Sequence, residues 1–186
     1  MLAMLLKRAF RKFGGRYGYD TSYLAELADT DTTGALKLAL VSPFTDHRFG
    51  LAAAPYFAAR ITAARQTDCG SCLRLTIAMA REAGVPMRNI RAMLLDGAET
   101  APRDMALARH YAEAVLASDP ALPNILAACE ALWGKSGVAG LAAATVSGSF
   151  YPLLKRGLGH GNACEPVLAW LAGEATEETM REMVDG

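Results

Sequence analysis

The residues best suited to chemistry in this sequence are two cysteines three positions apart, Cys69 and Cys72, in a Cys-Gly-Ser-Cys segment. On a helix, residues i and i+3 lie on the same face, so the Cα atoms should be within the roughly 4.4–6.8 Å that a disulfide tolerates. Thr67 and Asp68 precede the pair, and either could cap a helix that begins there. Backbone N–H groups and the dipole at a helix start stabilise a thiolate. The pattern predicts a pair that interconverts between dithiol and disulfide.

Two alternatives for these cysteines stay open. Free cysteines are often simply small buried apolar residues. Together with His160 and Cys164, the pair also follows the pattern C-x2-C…H-x3-C, which could supply four zinc ligands. The long separation between the two halves argues against that set, and a histidine between two glycines is usually a solvated turn residue. We therefore expect Cys69 and Cys72 to be the catalytic residues, with no metal and no cofactor.

Acid–base partners for the thiols are few in the sequence. The nearest candidates are Asp46 and His47 in an expected loop, and Asp68 at the expected helix cap. An aspartate at the cap would raise the thiol pKa by like-charge repulsion and so oppose the helix dipole. His110 lies on the helix after the pair. For each histidine, an exposed or already paired side chain is the more ordinary interpretation.

The composition of the whole chain predicts an all-α fold. The 186 residues are 52% apolar, which is enough to bury a core without disulfide or metal staples. Alanine is abundant and favours helix, whereas β-branched and aromatic runs are almost absent. Basic and acidic residues balance at 19 each, with a basic front and an acidic tail, which argues against nucleic-acid binding. The most apolar stretch, residues 137–154, is too rich in alanine and glycine for a convincing membrane span, so we expect a buried core helix there.

Helical periodicity and breaker residues divide the chain into one all-helical domain, 1–186, with three parts. Residues 1–54 should be an N-terminal amphipathic helix followed by an irregular extension, because residues 18–50 are rich in turn-forming types. Residues 55–118 should be the core that bears the cysteine pair, and residues 119–186 should be C-terminal helices. The expected helices after the extension are 55–64, 67–83, 87–95, 103–117, 122–133, 136–154 with a bend near Pro152, and 166–171.

The sequence around the cysteines resembles the carboxymuconolactone decarboxylase and alkylhydroperoxidase D superfamily. The matching residues run through 67–86 and 89–94, and include the Cys-x-x-Cys helix, its Ala-Arg-Glu-Ala-Gly ending at residues 80–84, and the short helix that follows. The resemblance implies a helical bundle of the alkylhydroperoxidase D type that assembles into dimers, trimers or hexamers. It also implies that Cys72 attacks a peroxide and that Cys69 resolves the product. A dithiol reductant protein, either lipoylated or thioredoxin-like, would then restore the pair.

Two positions depart from the pattern of the peroxidase branch. That branch has a glutamate twelve residues before the first cysteine and a histidine four after the second, which form a proton relay; here the positions hold Phe57 and Thr76. Thr76 lies one turn from Cys72 and could orient a water, but a hydroxyl cannot act as a base near pH 7. General-base help is typically worth about 10²–10⁴-fold, so we expect a slow peroxidase.

The function that these residues predict is a cytoplasmic, thiol-dependent oxidoreductase that reduces hydroperoxides or exchanges disulfides through Cys69 and Cys72. One alternative is a non-catalytic helical oligomer with a structural or regulatory cysteine pair. Another is a lyase of the carboxymuconolactone decarboxylase branch. Four cysteines do not make a secreted disulfide framework in a chain of this size, which favours a reducing compartment. The apolar fraction and the apolar stripe along residues 2–13 predict a homo-oligomer.

Overall fold

The computed structural model describes residues 1–96 and 100–161, together with Val167, Leu171 and Gly173. The described residues form helices and no strands, so the expected all-α class is confirmed. In chain order the helices are α1 (Leu2–Tyr17), α2 (Ser22–Thr30), α3 (Thr32–Ala39), α4 (Val41–Thr45), α5 (Ala53–Gln66), α6 (Gly70–Glu82), α7 (Met87–Arg91), α8 (Arg103–Ala117) and α9 (Leu122–Gly157).

Helix α5 forms the centre of the fold. Its residues 55–64 are all buried, because α6, α8 and α9 pack around it. A helix enclosed on every side needs no polar face, and α5 is rich in alanine, which lets neighbouring helices approach closely. The expected helix over residues 55–64 lies within α5.

The expectation of an irregular extension within residues 1–54 is wrong. Helix α1 ends at Gly18 in the left-handed conformation (φ 59°), and α2, α3 and α4 follow where turns were predicted. The cluster of aspartate, threonine and glycine at residues 29–34 is a helix junction: the Asp31 side chain accepts hydrogen bonds from the backbone N–H groups of Thr33 and Gly34 at the start of α3. Residue types that favour loops also cap helices, which explains the error.

Helix α6 begins later than the sequence predicted. The expected cap was Thr67 or Asp68, but the N-cap residue is Cys69, with an extended backbone. Asp68 adopts a positive φ of 52°, which turns the chain between α5 and α6. The helix ends before Gly84, whose φ of 86° suits glycine. Downstream, α7 covers the first part of the helix expected over residues 87–95, and its continuation over Ala92–Asp96 is a π-helical turn.

The second half agrees closely with the prediction for the residues that the structure describes. Helix α8 has the predicted bounds. Helix α9 spans both helices predicted over 122–133 and 136–154, and Gly134 breaks it between them with φ 67° and ψ 178°. The non-helical backbone lies at this glycine, whereas Pro152, where a bend was expected, lies inside the helix. The helix predicted over residues 166–171 lies outside the described residues, apart from Val167 and Leu171, which are buried.

By length and composition alone, α9 is the one helix among the described residues that could cross a membrane. Half of its most apolar window is buried against the rest of the protein. Its Gly140, Leu141, Ala144 and Gly148 belong to the buried residues. The stretch 137–154 of α9 therefore packs against the rest of the protein, as the core helix predicted there would.

Candidate functional site: a cysteine pair at the start of α6

The two predicted site residues lie at the first turn of α6, as their spacing indicated. Cys69 is the N-cap residue and Cys72 is the third helical residue. Cys69 is half-buried, whereas Cys72 is 4% exposed. Both are free thiols that lie close together, and the interaction between the two sulfurs is the largest cause of the pKa shift of each. The structure therefore places a buried and an accessible thiol in direct contact.

Cys69 has surroundings that stabilise its thiolate. The hydrogen bond from the Cys72 thiol is the main cause, and Ser71, the backbone N–H of Cys72 and the Lys155 ammonium add to it, while partial burial acts in the opposite direction. Together they lower the pKa of Cys69 from 9.0 to about 5. The Ser71 hydroxyl lies 3.7 Å from the Cys69 sulfur and accepts a 3.1 Å hydrogen bond from Lys155 Nζ. Lys155 thus stabilises the Cys69 thiolate both by its charge and by its hydrogen bond to Ser71.

Cys72 is held as a thiol. Its hydrogen bond to Cys69 and its burial raise its pKa above the ordinary value, and the hydroxyl of Tyr19, 3.5 Å from its sulfur, opposes them. The first proton to leave the pair is therefore that of Cys69, and the remaining proton lies on Cys72. The pair is asymmetric before any substrate arrives.

Two tyrosines and a lysine that no sequence pattern singled out complete the site. The Tyr19 and Tyr23 hydroxyls are 3.3 Å apart, and burial raises the pKa of both, so they stay neutral. Lys155 is 5% exposed, and its ammonium lies 5.2 Å and 5.9 Å from the centres of the two rings. Aromatic faces attract a cation and thereby offset part of the cost of burying it. One signal was available: Lys155 follows the long, nearly uncharged stretch of α9, where a charge needs a partner.

Phe57 and Thr76, which stand where the peroxidase branch has its proton relay, do not form a relay here. Phe57 belongs to the hydrophobic core beneath α6. The Thr76 hydroxyl donates a 2.8 Å hydrogen bond to the Cys72 carbonyl, one turn earlier in the helix. Its hydrogen is therefore directed at the backbone rather than at the thiol. Neither residue offers a base.

The other acid–base candidates are distributed over the molecule. His47 contacts the ring of Phe49, and His110 is exposed on α8. Asp46 forms an ion pair with Arg60 at 2.6 Å. Asp68 is exposed and directly precedes Cys69.

The zinc set considered from the sequence is not assembled by the described residues. Cys164 lies outside them. The ring Nε2 of His160 is 3.0 Å from a Glu26 carboxylate oxygen, and the ring also lies near that of Tyr23. No group of three or more metal-binding side chains occurs in the part of the chain that the structure describes.

A cavity of about 260 Å³ adjoins the buried thiol. Its wall is mostly apolar, with side chains from α1, α6 and α9, and includes Cys72 and Thr76. Arg60 and Asp46 also line it. Cys72 lines this cavity, whereas Cys69 is not part of its wall.

The fold and the site define an all-α protein with an asymmetric dithiol at a helix start. No family model, no curated protein and no solved structure matches the chain. The resemblance seen in residues 67–94 therefore stays a hypothesis, and the functional argument rests on the residues themselves.

Proposed function

We propose that this protein is a thiol–disulfide oxidoreductase in which Cys69 attacks the substrate and Cys72 resolves the product. The observation that carries the proposal is the half-buried Cys69 sulfur at the helix start, whose pKa is lowered to about 5, with the buried Cys72 thiol beside it. A partly exposed thiol with a lowered pKa beside a second thiol that can resolve the product is the arrangement that disulfide exchange uses.

The exchange proceeds in two balanced steps. The Cys69 thiolate attacks one sulfur of a substrate disulfide, the substrate S–S bond breaks, and the other substrate sulfur leaves as a thiolate. Cys72 then loses its proton and attacks the Cys69 sulfur, which releases the second substrate thiolate and forms the Cys69–Cys72 disulfide. The protein loses two electrons and the substrate gains them. A dithiol reductant protein reverses the sequence by attack on the more accessible Cys69 sulfur.

This assignment inverts the roles that the family resemblance implies. The resemblance makes Cys72 the attacking residue, whereas the order of the two pKa values favours Cys69. An attack by Cys72 first requires its proton to move to Cys69, against that order. This exchange of the attacking and resolving roles applies to substrates that approach Cys69 at the N-terminal end of α6.

A second candidate function is hydroperoxide reduction at Cys72, and the cavity beside this thiol favours it. Cys72 would pass its proton to Cys69, attack the terminal peroxide oxygen and break the O–O bond, which yields a sulfenic acid and an alkoxide that takes up a proton. The Cys69 thiol would then attack the sulfenic sulfur, release water and close the disulfide. With Phe57 and Thr76 at the relay positions, this reaction would be slow.

Thiol counting with single variants separates these functions. Reduced protein is treated with one equivalent of either a small aromatic disulfide or an alkyl hydroperoxide, and the free thiols are alkylated and counted by mass. We expect the disulfide to consume two of the four thiols of the wild-type chain. Cys69→Ser should lower the rate by more than about 10³-fold, as is typical for a lost nucleophile. Cys72→Ser should stop at a stable mixed disulfide on Cys69.

The buried Cys129, which is 0% exposed, provides the matched control. Cys129→Ala should leave both rates unchanged. If the hydroperoxide reacts with Cys69→Ser to give a Cys72 sulfenic acid that can be trapped, and the disulfide does not react with wild type, the second candidate function is the correct one. If neither oxidant consumes thiols, the pair is structural, and the non-catalytic alternative replaces both.

A further inference from the structure

The cavity beside Cys72 has a second polar feature besides the thiol. Arg60 of α5 contributes to its wall although the side chain is only 7% exposed. Its Nη1 donates a 2.6 Å hydrogen bond to Asp46 and lies 3.4 Å from the Tyr56 hydroxyl. Its Nε is buried and has no partner among the residues that the structure describes. The guanidinium thus retains donor capacity in a largely apolar surrounding.

Protein groups neutralise the positive charge of Arg60 only in part. Asp46, its ion-pair partner, has a side chain that is 45% exposed, so water screens much of the carboxylate. A guanidinium has five N–H donors in a fork that matches a carboxylate. A buried cation with unused donors is costly unless an acceptor reaches it. The wall therefore favours an anionic acceptor on the ligand.

The remainder of the wall suits an apolar body. Phe10 and Phe13 of α1 and Leu75 and Met79 of α6 all line the cavity. An apolar cavity of about 150 Å³ holds benzene. In proportion to the six carbons of benzene, a cavity of about 260 Å³ accommodates a molecule of roughly ten non-hydrogen atoms.

We propose that this cavity is a binding site for a small carboxylic acid with an apolar chain or ring, whose carboxylate is held by Arg60 and whose body lies between α1 and α6. Cys72 lines the same cavity, so the bound acid contacts the buried thiol. This proposal deepens the second candidate function, and it rests on that function only where it makes hydroperoxides of such acids, whose O–O bond accepts the two electrons, the substrate class of Cys72.

Binding is tested without thiol chemistry, on the Cys69→Ser/Cys72→Ser double variant, by isothermal titration with octanoate, octanol and octylamine. The three probes share an eight-carbon chain and differ in the head group. We expect octanoate to bind at least about tenfold more tightly than octanol, since hydrogen bonds to charged groups are the stronger ones. Octylamine should bind more weakly than both, because its ammonium meets Arg60.

Two substitutions in this background examine the role of Arg60. Arg60→Gln should lower octanoate affinity by about tenfold or more and leave octanol affinity unchanged. Asp46→Asn, at a partly exposed position, should instead raise octanoate affinity severalfold, because it removes a competing carboxylate. Arg65→Gln is the matched control, since Arg65 lies on the same helix but donates to the Leu94 carbonyl outside this cavity. It should change neither affinity.

Equal affinities for octanoate and octanol, no detectable octanoate binding, or unchanged octanoate affinity in Asp46→Asn would overturn the proposal. The result stays separate from that of the proposed function. If octanoate binds to the double variant as expected while the wild-type protein reacts with no disulfide and no hydroperoxide, the result supports the carboxylic-acid site. The same result contradicts the redox function. If the wild-type thiols react but octanoate does not bind, only the proposal of a carboxylic-acid site is contradicted.

Discussion

Cys69 and Cys72 differ in how readily each thiol gives up its proton, and in the proposed disulfide exchange this difference would set both the rate and the direction. A thiolate with a lowered pKa is fully ionised near neutral pH, although its intrinsic nucleophilicity falls with its pKa. It is also a better leaving group when the disulfide is attacked. The Cys69 thiolate therefore favours the reduced form of the pair. Two predictions at the scale of single residues follow from this difference.

The first prediction concerns the pH dependence of alkylation. Because only the thiolate reacts with iodoacetamide and the pKa of Cys69 is about 5, its rate should stay near the plateau from pH 8 to pH 6 and fall as the pH drops through about 5. A thiol with an ordinary pKa of about 8.5 is less than about 1% ionised at pH 6. Mass spectrometry of the labelled peptide measures the rate at each pH.

Lys155→Met examines the cause of this lowered pKa. It removes the ammonium that lowers the pKa of Cys69 and bonds to Ser71, so the midpoint of the profile should move upward. Lys135→Met, at an exposed lysine of the same helix, should leave the midpoint in place. A wild-type midpoint near the ordinary value of about 8.5 would show that Cys69 has no special stabilisation.

The second prediction is an oxidising redox potential. Stabilising the reduced form makes a pair a stronger oxidant, so the Cys69–Cys72 couple should lie above the roughly −270 mV of thioredoxin. Equilibration with glutathione buffers, followed by alkylation and mass analysis, gives the value. Lys155→Met should shift it to more negative potential. A wild-type value well below that of thioredoxin would contradict the stabilised thiolate.

At this scale the sequence predicted the position of the pair but not its asymmetry. The i, i+3 spacing placed both thiols at the start of a helix, although the N-cap is Cys69 itself and not the expected Thr67 or Asp68. Which thiol ionises first depends on the interaction between the two sulfurs and on the deep burial of Cys72, which packs against Tyr19, 53 residues earlier in the chain. Local patterns carry no information on contacts over such separations.

Among the helices, the quality of prediction followed the strength of local signals. Helix α8 has strong periodicity between Pro102 and a turn at Ser118, and its bounds were correct. The junction at Asp31 was missed because capping residues and loop residues are the same types. The N-cap of α6 is Cys69 rather than the predicted Thr67 or Asp68, because Asp68 adopts a left-handed conformation. No pattern in the sequence predicts that conformation.

A third prediction belongs to the break within α9. Gly134 has φ 67° and ψ 178°, a combination that is nearly exclusive to glycine, and no atom lies within 4 Å of the place where a Cβ would be. Gly134→Ala should therefore reduce the free energy of unfolding by about 1–3 kcal/mol through backbone strain alone. Urea denaturation followed by circular dichroism measures this.

Gly15→Ala is the matched control for Gly134→Ala. Gly15 lies inside α1 and also has open space where a methyl group would be, but its backbone is helical. This substitution should raise stability by roughly 0.5–1 kcal/mol, because alanine favours helix over glycine. A Gly134→Ala protein as stable as wild type would mean that α9 can straighten at this point without cost.

The whole molecule leaves several large apolar side chains at its surface. On α9, Leu132, Val146 and Leu153 are 57%, 55% and 52% exposed. Val146 and Leu153 are seven residues apart and therefore share one face of the helix. We propose that this face is covered by a second copy of the chain, in line with the homo-oligomer expected from the composition.

A fourth prediction follows for assembly. Sedimentation velocity should show an oligomer of the wild-type chain at tens of micromolar, and Val146→Glu/Leu153→Glu should shift it to monomer, since buried unpaired carboxylates are costly. Leu116→Glu, at a 37% exposed position on α8, is the control and should leave assembly unchanged. A monomeric wild-type chain would contradict the prediction.

The contact between Lys155 and Ser71 spans 84 residues, and it has a consequence for the order in which the site arises during synthesis. The cysteines leave the ribosome before the lysine does, and at about 5–20 residues per second the interval is roughly 4–17 s. During that time the nascent chain lacks the ammonium and the α9 surface that complete the site. Its cysteines are then ordinary thiols, mostly protonated near neutral pH and slow to react. The chain thus acquires its reactive sulfur only once the end of α9 has been made and packed.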